Sequence, residues 1–253
     1  MNSSVVRYIL GHVLKIEGFL LLLPCLVSII YQEKIGIYYL AVAVVCILLG
    51  TLMTYRKPES MVFYLKEGCV ITSLSWIALS FFGCLPFVLG GDIPSFTDAL
   101  FETISGFTTT GASILSNVEG LTYTSLFWRS FTNWIGGMGV LVFVLAIMPQ
   151  QDMKSSRLVH VMRAEMPGPK VDKIVATVKK TAAIMYGIYI AMTLLQIILL
   201  LFGGMDLYES VCTSLSTAGT GGFAIWGDSM ISFGGTVAHP EFCVWVISAF
   251  MFL

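Results

Sequence analysis

Charge is scarce in this sequence of 253 residues. Charged side chains make up 11% of the residues and apolar ones 57%, whereas an average soluble domain has roughly 25% charged residues. A soluble domain of this size needs a polar, charged surface, so the composition excludes that class. The sequence predicts an all-helical membrane protein, and the lipid bilayer is therefore one of its expected partners.

Signatures of catalysis and of cofactor binding are also missing. The six cysteines stand singly, with no Cys-x-x-Cys pair, which favours small apolar residues in helices over a metal or disulfide site. The run Gly136–Gly139 has no lysine after it, as a phosphate-binding loop requires; small residues in a membrane helix are typical of close packing. No nucleophile is paired with a base. We therefore expect no enzyme activity, no organic cofactor and no nucleic-acid partner.

Long apolar segments are abundant. Five can cross a hydrocarbon core of ~30 Å at 1.5 Å per residue: Tyr8–Ile30, Ile37–Tyr55, Gly68–Leu89, Tyr123–Met148 and Thr181–Phe202. A sixth begins near Pro240, and the residues that follow it are too few to reach the other side of a bilayer. We therefore expect the chain to be a fragment.

Basic residues are absent from two stretches, Gly90–Tyr123 and Phe202–Trp245. They are concentrated in the connection Gln150–Lys180 and at Arg56, Lys57 and Lys66. Because basic loops stay on the cytoplasmic side, we expect a multi-pass protein of the cell inner membrane with a cytoplasmic N-terminus. The outer stretches carry Asp92, Asp98, Glu102, Asp206 and Glu209. These acids either concentrate cations at an outer mouth or serve as solvated loop and helix-terminal charges.

A faint internal repeat is present. A shift of 110 residues places Thr110 and Gly111 over Thr220 and Gly221. Each unit has a basic inner flank, an apolar span, a short acidic segment, a threonine- and glycine-rich turn and a returning span. The short segments, Ser95–Phe107 and Asp206–Leu215, cannot cross a bilayer. We expect each to be a half-helix that enters from outside, the first with an N-cap near Ser95.

The turn after each half-helix then lies at membrane depth. Irregular backbone is tolerated there only if it is buried in protein or lines a watery cavity. Backbone carbonyls and threonine hydroxyls are suitable ligands for a dehydrated alkali cation, and the C-terminal end of a half-helix carries partial negative charge. The candidate lining is Thr108, Thr109, Thr110, Gly111 and Ala112, and in the second unit Thr217, Ala218, Gly219, Thr220, Gly221 and Gly222.

Four stretches carry a family resemblance: DALFETISGFTTTGAS from Asp98, FWRSFTNWIGGMGVLVFVLAIMP from Phe127, RAEMPGP from Arg163 and STAGTGGFA from Ser216. Together they resemble the TrkH-type membrane subunits of the Trk/Ktr/HKT superfamily of potassium transporters. The resemblance implies four potassium-channel-like helix, pore-loop, helix units around one pathway. It also implies one filter glycine in each loop, here Gly111 and Gly221, with Gly219 as the alternative to Gly221.

The resemblance implies a division of the chain as follows: two N-terminal transmembrane helices in residues 1–60, a first repeat in 61–150, a cytoplasmic basic connection in 151–177 and a truncated second repeat in 178–253. It implies potassium uptake across the bacterial inner membrane through a carbonyl-lined selectivity filter, with potassium as the transported ion. A homodimer and a cytosolic nucleotide-binding regulatory subunit are the implied protein partners. The family has four units, so we expect this chain to be the N-terminal half.

Two other function classes stay open, a proton- or sodium-coupled cation carrier with broken helices and a non-transporting membrane scaffold. The two repeats share one orientation, which favours the channel-like arrangement over inverted carrier repeats. Arg129 lies inside an apolar span, where a charge marks a functional hypothesis. It either pairs with Glu102 or Glu119 or reaches the outer interface, and we prefer ion pairing to a role in ion passage.

Overall fold

The structure, a computed structural model, describes residues 3–58, 65–139, 175–229 and 237–252. Within these ranges every regular element is a helix, so the predicted all-helical fold is confirmed. In chain order the helices are α1 (Ser3–Leu20), α2 (Leu22–Ile30), α3 (Gly36–Thr54), α4 (Leu65–Gly90), α5 (Phe96–Phe107), α6 (Tyr123–Gly137), α7 (Val175–Phe202), α8 (Leu207–Ala218) and α9 (Pro240–Met251). Most of the predicted basic connection, residues 151–174, lies outside the described residues.

Four segments of the described residues are long and apolar enough to cross a membrane: Ser3–Ile30, Gly36–Thr54, Glu67–Gly90 and Ala182–Phe202. They coincide with four of the five predicted spans. The remaining one, Tyr123–Met148, is helical over Tyr123–Gly137, and residues 140–148 lie outside the described residues.

The first span is interrupted at Leu21, between α1 and α2. Pro24 explains the break, because proline has no N–H to donate and its ring crowds the carbonyl four residues earlier, at Leu20. At the other end of α2 a tight turn leads into α3. The Ser28 hydroxyl donates to the Glu33 carbonyl (2.5 Å) and accepts from the Gly36 N–H (3.1 Å), which fixes the position of Glu33.

Helices α1 and α3 pack directly against each other. Gly11 and Gly50 lie at the contact, where a β-carbon on Gly50 would come within 2.5 Å of the Gly11 carbonyl oxygen. Small residues let membrane helices approach this closely. The opposite side of α3 exposes Ile37, Leu48 and Leu52 at 64–71%, as expected of a face that meets lipid.

Helices α4, α5 and α6 form one unit, and α7, α8 and α9 form a second unit with the same order. In each unit the short middle helix packs against the helices on both sides of it, and α8 also packs against α6. Trp128 of α6 is fully buried and donates its indole N–H to the Gly83 carbonyl of α4 (2.9 Å). Its ring also meets the ring of Phe107, at the end of α5, edge to face. Through its contact with α8, helix α6 also joins the first unit to the second.

Candidate functional site

Two short helices of 12 residues each, α5 and α8, lead into the candidate site. Each would rise about 18 Å, well short of a ~30 Å hydrocarbon core. Ser95 accepts the Asp98 N–H as the N-cap of α5 (3.4 Å), as predicted, and Asp206 accepts the Tyr208 N–H as the N-cap of α8 (3.1 Å). These caps satisfy backbone donors that the first helical turn leaves unpaired.

The second short helix continues beyond the predicted end at Leu215. It runs to Ala218, so the expectation that Thr217 and Ala218 belong to the turn was wrong. The Thr217 hydroxyl donates back to the Thr213 carbonyl (2.8 Å), a bond that keeps this residue in the helical path. Gly219 is the C-cap, with an ordinary right-handed φ of −74°.

The helices end in two loops that we call the first glycine loop, residues 108–113, and the second glycine loop, residues 219–224. Both contain a threonine and then a glycine with positive φ: Thr109 at 53° and Gly111 at 69°, and Thr220 at 55° and Gly222 at 64°. A β-branched residue in the left-handed region is strained. Strain of this kind persists where the surrounding structure enforces it and is concentrated at functional sites.

Each loop is braced by a hydrogen bond of its own, and the two bonds occupy equivalent positions in the two units. The Ser105 hydroxyl donates to the Ala112 carbonyl (2.6 Å) in the first unit, and the Ser216 hydroxyl donates to the Phe223 carbonyl (2.5 Å) in the second. Each bond joins the last turn of the short helix to the loop that follows it. The bonds also fix the direction of both carbonyls.

These correspondences give the repeat a shift of 111 residues, because Thr109 matches Thr220 and Gly111 matches Gly222 in backbone conformation. The predicted shift of 110 was wrong by one residue. Gly222, rather than Gly221, is therefore the counterpart of Gly111. The alternative choice, Gly219, was also wrong, since Gly219 occupies the C-cap position that Thr108 occupies in the first unit.

The two loops touch. A β-carbon built on Gly111 would overlap the carbonyl oxygen of Gly221. Glycine is needed at position 111 both for this approach and for its positive φ. The first and second glycine loops therefore form one continuous surface.

Helix α6 supports both loops from behind. A β-carbon on Gly136 would run into the Phe107 carbonyl, and one on Gly137 would lie 2.8 Å from the Gly219 α-carbon. The prediction that this glycine run serves packing is thus confirmed. One turn earlier, Asn133 donates its side-chain amide to the Ser216 carbonyl (3.3 Å).

The predicted lining residues differ in accessibility. Those exposed in the structure are Thr108, Thr110, Ala112, Thr220 and Gly222, those of intermediate exposure are Thr109, Gly111, Ala218 and Gly221, and Thr217 and Gly219 are buried. The six cysteines are free. The described part of the chain contains no group of three or more His, Cys, Asp or Glu side chains arranged for a metal. Apart from the Ser113 hydroxyl, which donates to Glu102, the oxygens of the two loops are those of the backbone and of threonine.

Arg129 forms the predicted ion pair with Glu102. Its Nε lies 3.0 Å from the glutamate Oε2, and both side chains are buried. Glu119, the other partner considered, instead accepts the Gly227 N–H (2.6 Å). This resolves the alternatives for Arg129 in favour of pairing with Glu102.

The predicted ring of outer acids is only partly present. Glu102 is 1% exposed and belongs to the buried pair, so its placement at the outer mouth was wrong. Asp92 accepts both the N–H (3.2 Å) and the hydroxyl (2.6 Å) of Thr122, and Asp206 caps α8. Burial raises the pKa of Glu209, and the negative charge of Asp206 raises it further.

Glu33 is a structural residue that was not among those predicted from the sequence. Its carboxylate accepts the backbone N–H groups of Tyr123 and Thr124 (2.9 Å each) and the Thr124 hydroxyl (2.6 Å). The sequence did indicate that such an acceptor was needed. Helix α6 has no acid of its own in the first turn, and the unpaired N–H groups there need an acceptor from elsewhere in the chain. Tyr31 adds a stacked contact between its ring and that of Tyr123 (4.3 Å between centroids).

Comparison with known proteins identifies the family. The family model described as "TrkH: Cation transport protein" matches residues 38–253. The chain belongs to the TrkH family of cation transport proteins. The TrkH-type resemblance is confirmed, and so is a multi-pass membrane protein.

Relatives within the TrkH family support the assignment. The chain is 32% identical to the Trk system potassium uptake protein TrkH of Escherichia coli K12, over 88% of this chain and 46% of the relative. It is 33% identical to the Trk system potassium uptake protein TrkI of Halomonas elongata, over 90% of this chain and 45% of that relative. A crystal structure of the potassium transporter TrkH from Vibrio parahaemolyticus superposes with a TM-score of 0.80 at 26% identity, covering 99% of this chain and 49% of that one. The chain thus spans about half the length of the relatives it matches.

Proposed function

We propose that this chain forms half of the lining of a potassium pathway, in a protein that takes up potassium across the bacterial inner membrane. The observation that carries the proposal is the pair of matched glycine loops, which share the same positive-φ pattern at Thr109, Gly111, Thr220 and Gly222. The names of the relatives, Trk system potassium uptake proteins, supply the ion.

The ion-binding oxygens are assigned to the corresponding triplets Thr109–Gly111 and Thr220–Gly222. Ala112 and Gly219, also predicted as ligands, are assigned to bracing and to the helix C-cap, because the Ala112 carbonyl accepts the Ser105 hydroxyl and Gly219 is buried. A potassium ion entering from outside exchanges its water for loop oxygens. The C-terminal ends of α5 and α8 add partial negative charge there.

A filter of the potassium-channel type needs four loops, and the described residues supply two. The two remaining loops come either from further residues of the same protein or from a second chain. The proposed division is that of the sequence: N-terminal helices in residues 1–60, repeats in 61–150 and 178–253, and a cytoplasmic connection in 151–177. A cytoplasmic N-terminus, a homodimer and a cytosolic nucleotide-binding regulator that meets the connection belong to the same proposal.

Complementation of a bacterium deficient in potassium uptake tests this function. The chain is expressed as it stands and, in parallel, extended by any reading frame that follows it, and growth at low potassium is measured with radioactive rubidium uptake. We expect at least one form to restore growth, and Gly111→Ser to abolish it at an unchanged protein level. Absence of cation uptake by both forms, with protein present in the membrane, contradicts the proposal. Uptake driven by a sodium or proton gradient supports a coupled carrier instead.

A further inference from the structure

The Glu102–Arg129 pair lies deep in the protein, with the two side chains 0% and 3% exposed. Burying two charges carries a desolvation cost, which mutual attraction repays only where the geometry is excellent and further hydrogen bonds satisfy both groups. Replacement of such a pair by apolar residues of similar volume is often neutral or stabilising in other proteins. The pair therefore needs an explanation other than the stability of the fold.

Glu102 reaches the end of the first glycine loop. While its Oε2 contacts Arg129, its Oε1 accepts the Ser113 hydroxyl (2.6 Å) and the backbone N–H of Ile114 (2.7 Å). Bonds to a charged acceptor are stronger and shorter than neutral ones. Glu102 thereby holds the chain at the point where it leaves the loop.

Arg129 reaches the end of the second glycine loop. Its Nη1 donates to the Ala224 carbonyl (2.5 Å), and its guanidinium carbon lies 3.6 Å from the centroid of the Phe223 ring. A guanidinium over an aromatic face is attracted by the ring. Arg129 thereby holds the second loop at its exit, while Nε stays on Glu102.

The two anchor points correspond in the repeat, because Ser113 and Ala224 are related by the same shift of 111 residues that matches the loops. One ion pair thus ties the same position of both loops together. The loops also touch at Gly111 and Gly221, so a displacement at either exit is transmitted to the segment that carries the proposed ligand oxygens.

We propose that Glu102 and Arg129 are positioning residues that set the spacing of the two glycine loops and thereby the preference for potassium over sodium. The inference rests on the proposed function. Potassium is larger than sodium, and in the snug-fit account of potassium selectivity the carbonyl oxygens discriminate between the two ions by their spacing. Neither side chain touches the ion; both act through the loops.

The test uses purified full-length protein in liposomes and measures the uptake of potassium and of sodium separately. Arg129→Lys keeps the charge but cannot bind Glu102 and Ala224 with two separate nitrogens of a planar group. Glu102→Gln keeps an acceptor for Ser113 but loses the charge. We expect both variants to transport, with the potassium-to-sodium ratio lowered about tenfold, which corresponds to the loss of roughly one hydrogen bond. Asp228→Asn, at an exposed acid beyond the second loop, is the control and keeps the wild-type ratio.

The outcomes separate the two proposals. Variants that transport with the wild-type ratio overturn the positioning role and leave the proposed function intact. A wild-type protein that transports no alkali cation overturns the proposed function and the inference with it. If Arg129→Lys and Glu102→Gln fail to fold, Ser113→Ala decides, because it removes one bond to Glu102 and leaves the ion pair. A lowered ratio in Ser113→Ala supports positioning, and an unchanged ratio assigns the pair to folding alone.

Discussion

The α-carbon of Gly111 faces the Gly221 carbonyl so closely that a β-carbon at position 111 would overlap its oxygen. Gly111 also has a φ of 69°, where a side chain costs roughly 1–2 kcal/mol. We expect Gly111→Ala to reduce cation uptake to background, because backbone would have to move on both loops. Rubidium uptake, normalised to the amount of protein in the membrane, measures the effect.

Alanine substitutions at three other glycines distinguish the two causes of that loss, the positive φ and the close contact with Gly221. Gly91 has a φ of 83° with no atom within 4 Å of a built β-carbon, and Gly187 has the same space without the positive φ. Gly222 has a φ of 64° and would meet only Met251, at 3.4 Å. We expect normal uptake in Gly187→Ala and nearly normal uptake in Gly91→Ala. Gly222→Ala should reduce uptake, but by less than Gly111→Ala does. Equal loss in Gly91→Ala and Gly111→Ala would assign the effect to strain alone.

A second prediction concerns Gly221 and Asn133. A β-carbon on Gly221 would lie 2.8 Å from the Asn133 Cγ, so Gly221→Ala should impair uptake. Asn133→Ala removes the side chain that a β-carbon on Gly221 would meet. It also removes the hydrogen bond to Ser216, which we expect to lower the free energy of unfolding by about 1 kcal/mol. The double variant should therefore recover uptake relative to Gly221→Ala.

Thermal unfolding in detergent provides the matching measurement. Residues in contact show coupling free energies of roughly 0.5–3 kcal/mol, and we expect a favourable coupling between Gly221→Ala and Asn133→Ala in that range. Strictly additive effects would show that the second loop moves away from α6 rather than pressing on Asn133.

Most of the fold was predictable from the sequence, because spans and short helices leave local signals. The N-cap at Ser95 followed from Pro94, Ser95 and Asp98, and the turn after Phe107 followed from the threonines and glycine of residues 108–111. The register of the second loop did not, since three glycines lie at 219, 221 and 222 and composition does not reveal which one adopts a positive φ. The Ser216–Phe223 bond and the contact with α6 decide that, and both depend on tertiary packing.

Long-range contacts were only half predictable. Arg129 stood out because a charge in an apolar span needs a partner, and Glu102 was among the candidates. Its second contact, to Ala224, is 95 residues away in sequence, and no local pattern indicates it. The same holds for Glu33, which binds residues 90 and 91 positions later.

Glu33 supplies a third prediction, on stability. It accepts three hydrogen bonds at the N-terminus of α6, from Tyr123 and Thr124. Glu33→Ala leaves two backbone donors and a hydroxyl without this acceptor, so we expect a loss of about 2–3 kcal/mol in the free energy of unfolding. The thermal midpoint in detergent measures it.

Glu241 is the matched control for Glu33, since it is an exposed acid in the first turn of α9. It lies at the N-terminus of its own helix, where an acid contributes about 0.3–1 kcal/mol. Glu241→Ala should therefore cost clearly less than Glu33→Ala. Similar losses in the two variants would mean that Glu33 stabilises α6 only through the helix dipole.

The fourth prediction concerns pH and the bond between Glu119 and Gly227. The Gly227 N–H holds the pKa of the Glu119 carboxyl below its ordinary value, and the backbone N–H of Glu119 itself contributes in the same direction. A group with a lowered folded-state pKa stabilises the fold above its unfolded pKa, which is roughly 4.3 for glutamate. That stabilisation is lost as the pH falls through the lower, folded-state value. The segment after the first loop should therefore lose its bond to the segment after the second loop in acid.

Thermal midpoints measured between about pH 3 and pH 7 test this dependence. Glu119→Gln removes the titrating group and should flatten the acid side of the profile. Glu119→Asp keeps the charge but shortens the side chain by one methylene, so it loses the 2.6 Å bond to Gly227 and should flatten the profile as well. If Glu119→Asp keeps the full acid dependence of the wild type, general charge repulsion in the outer loops is the cause, and the bond between the two units plays no part in acid sensitivity.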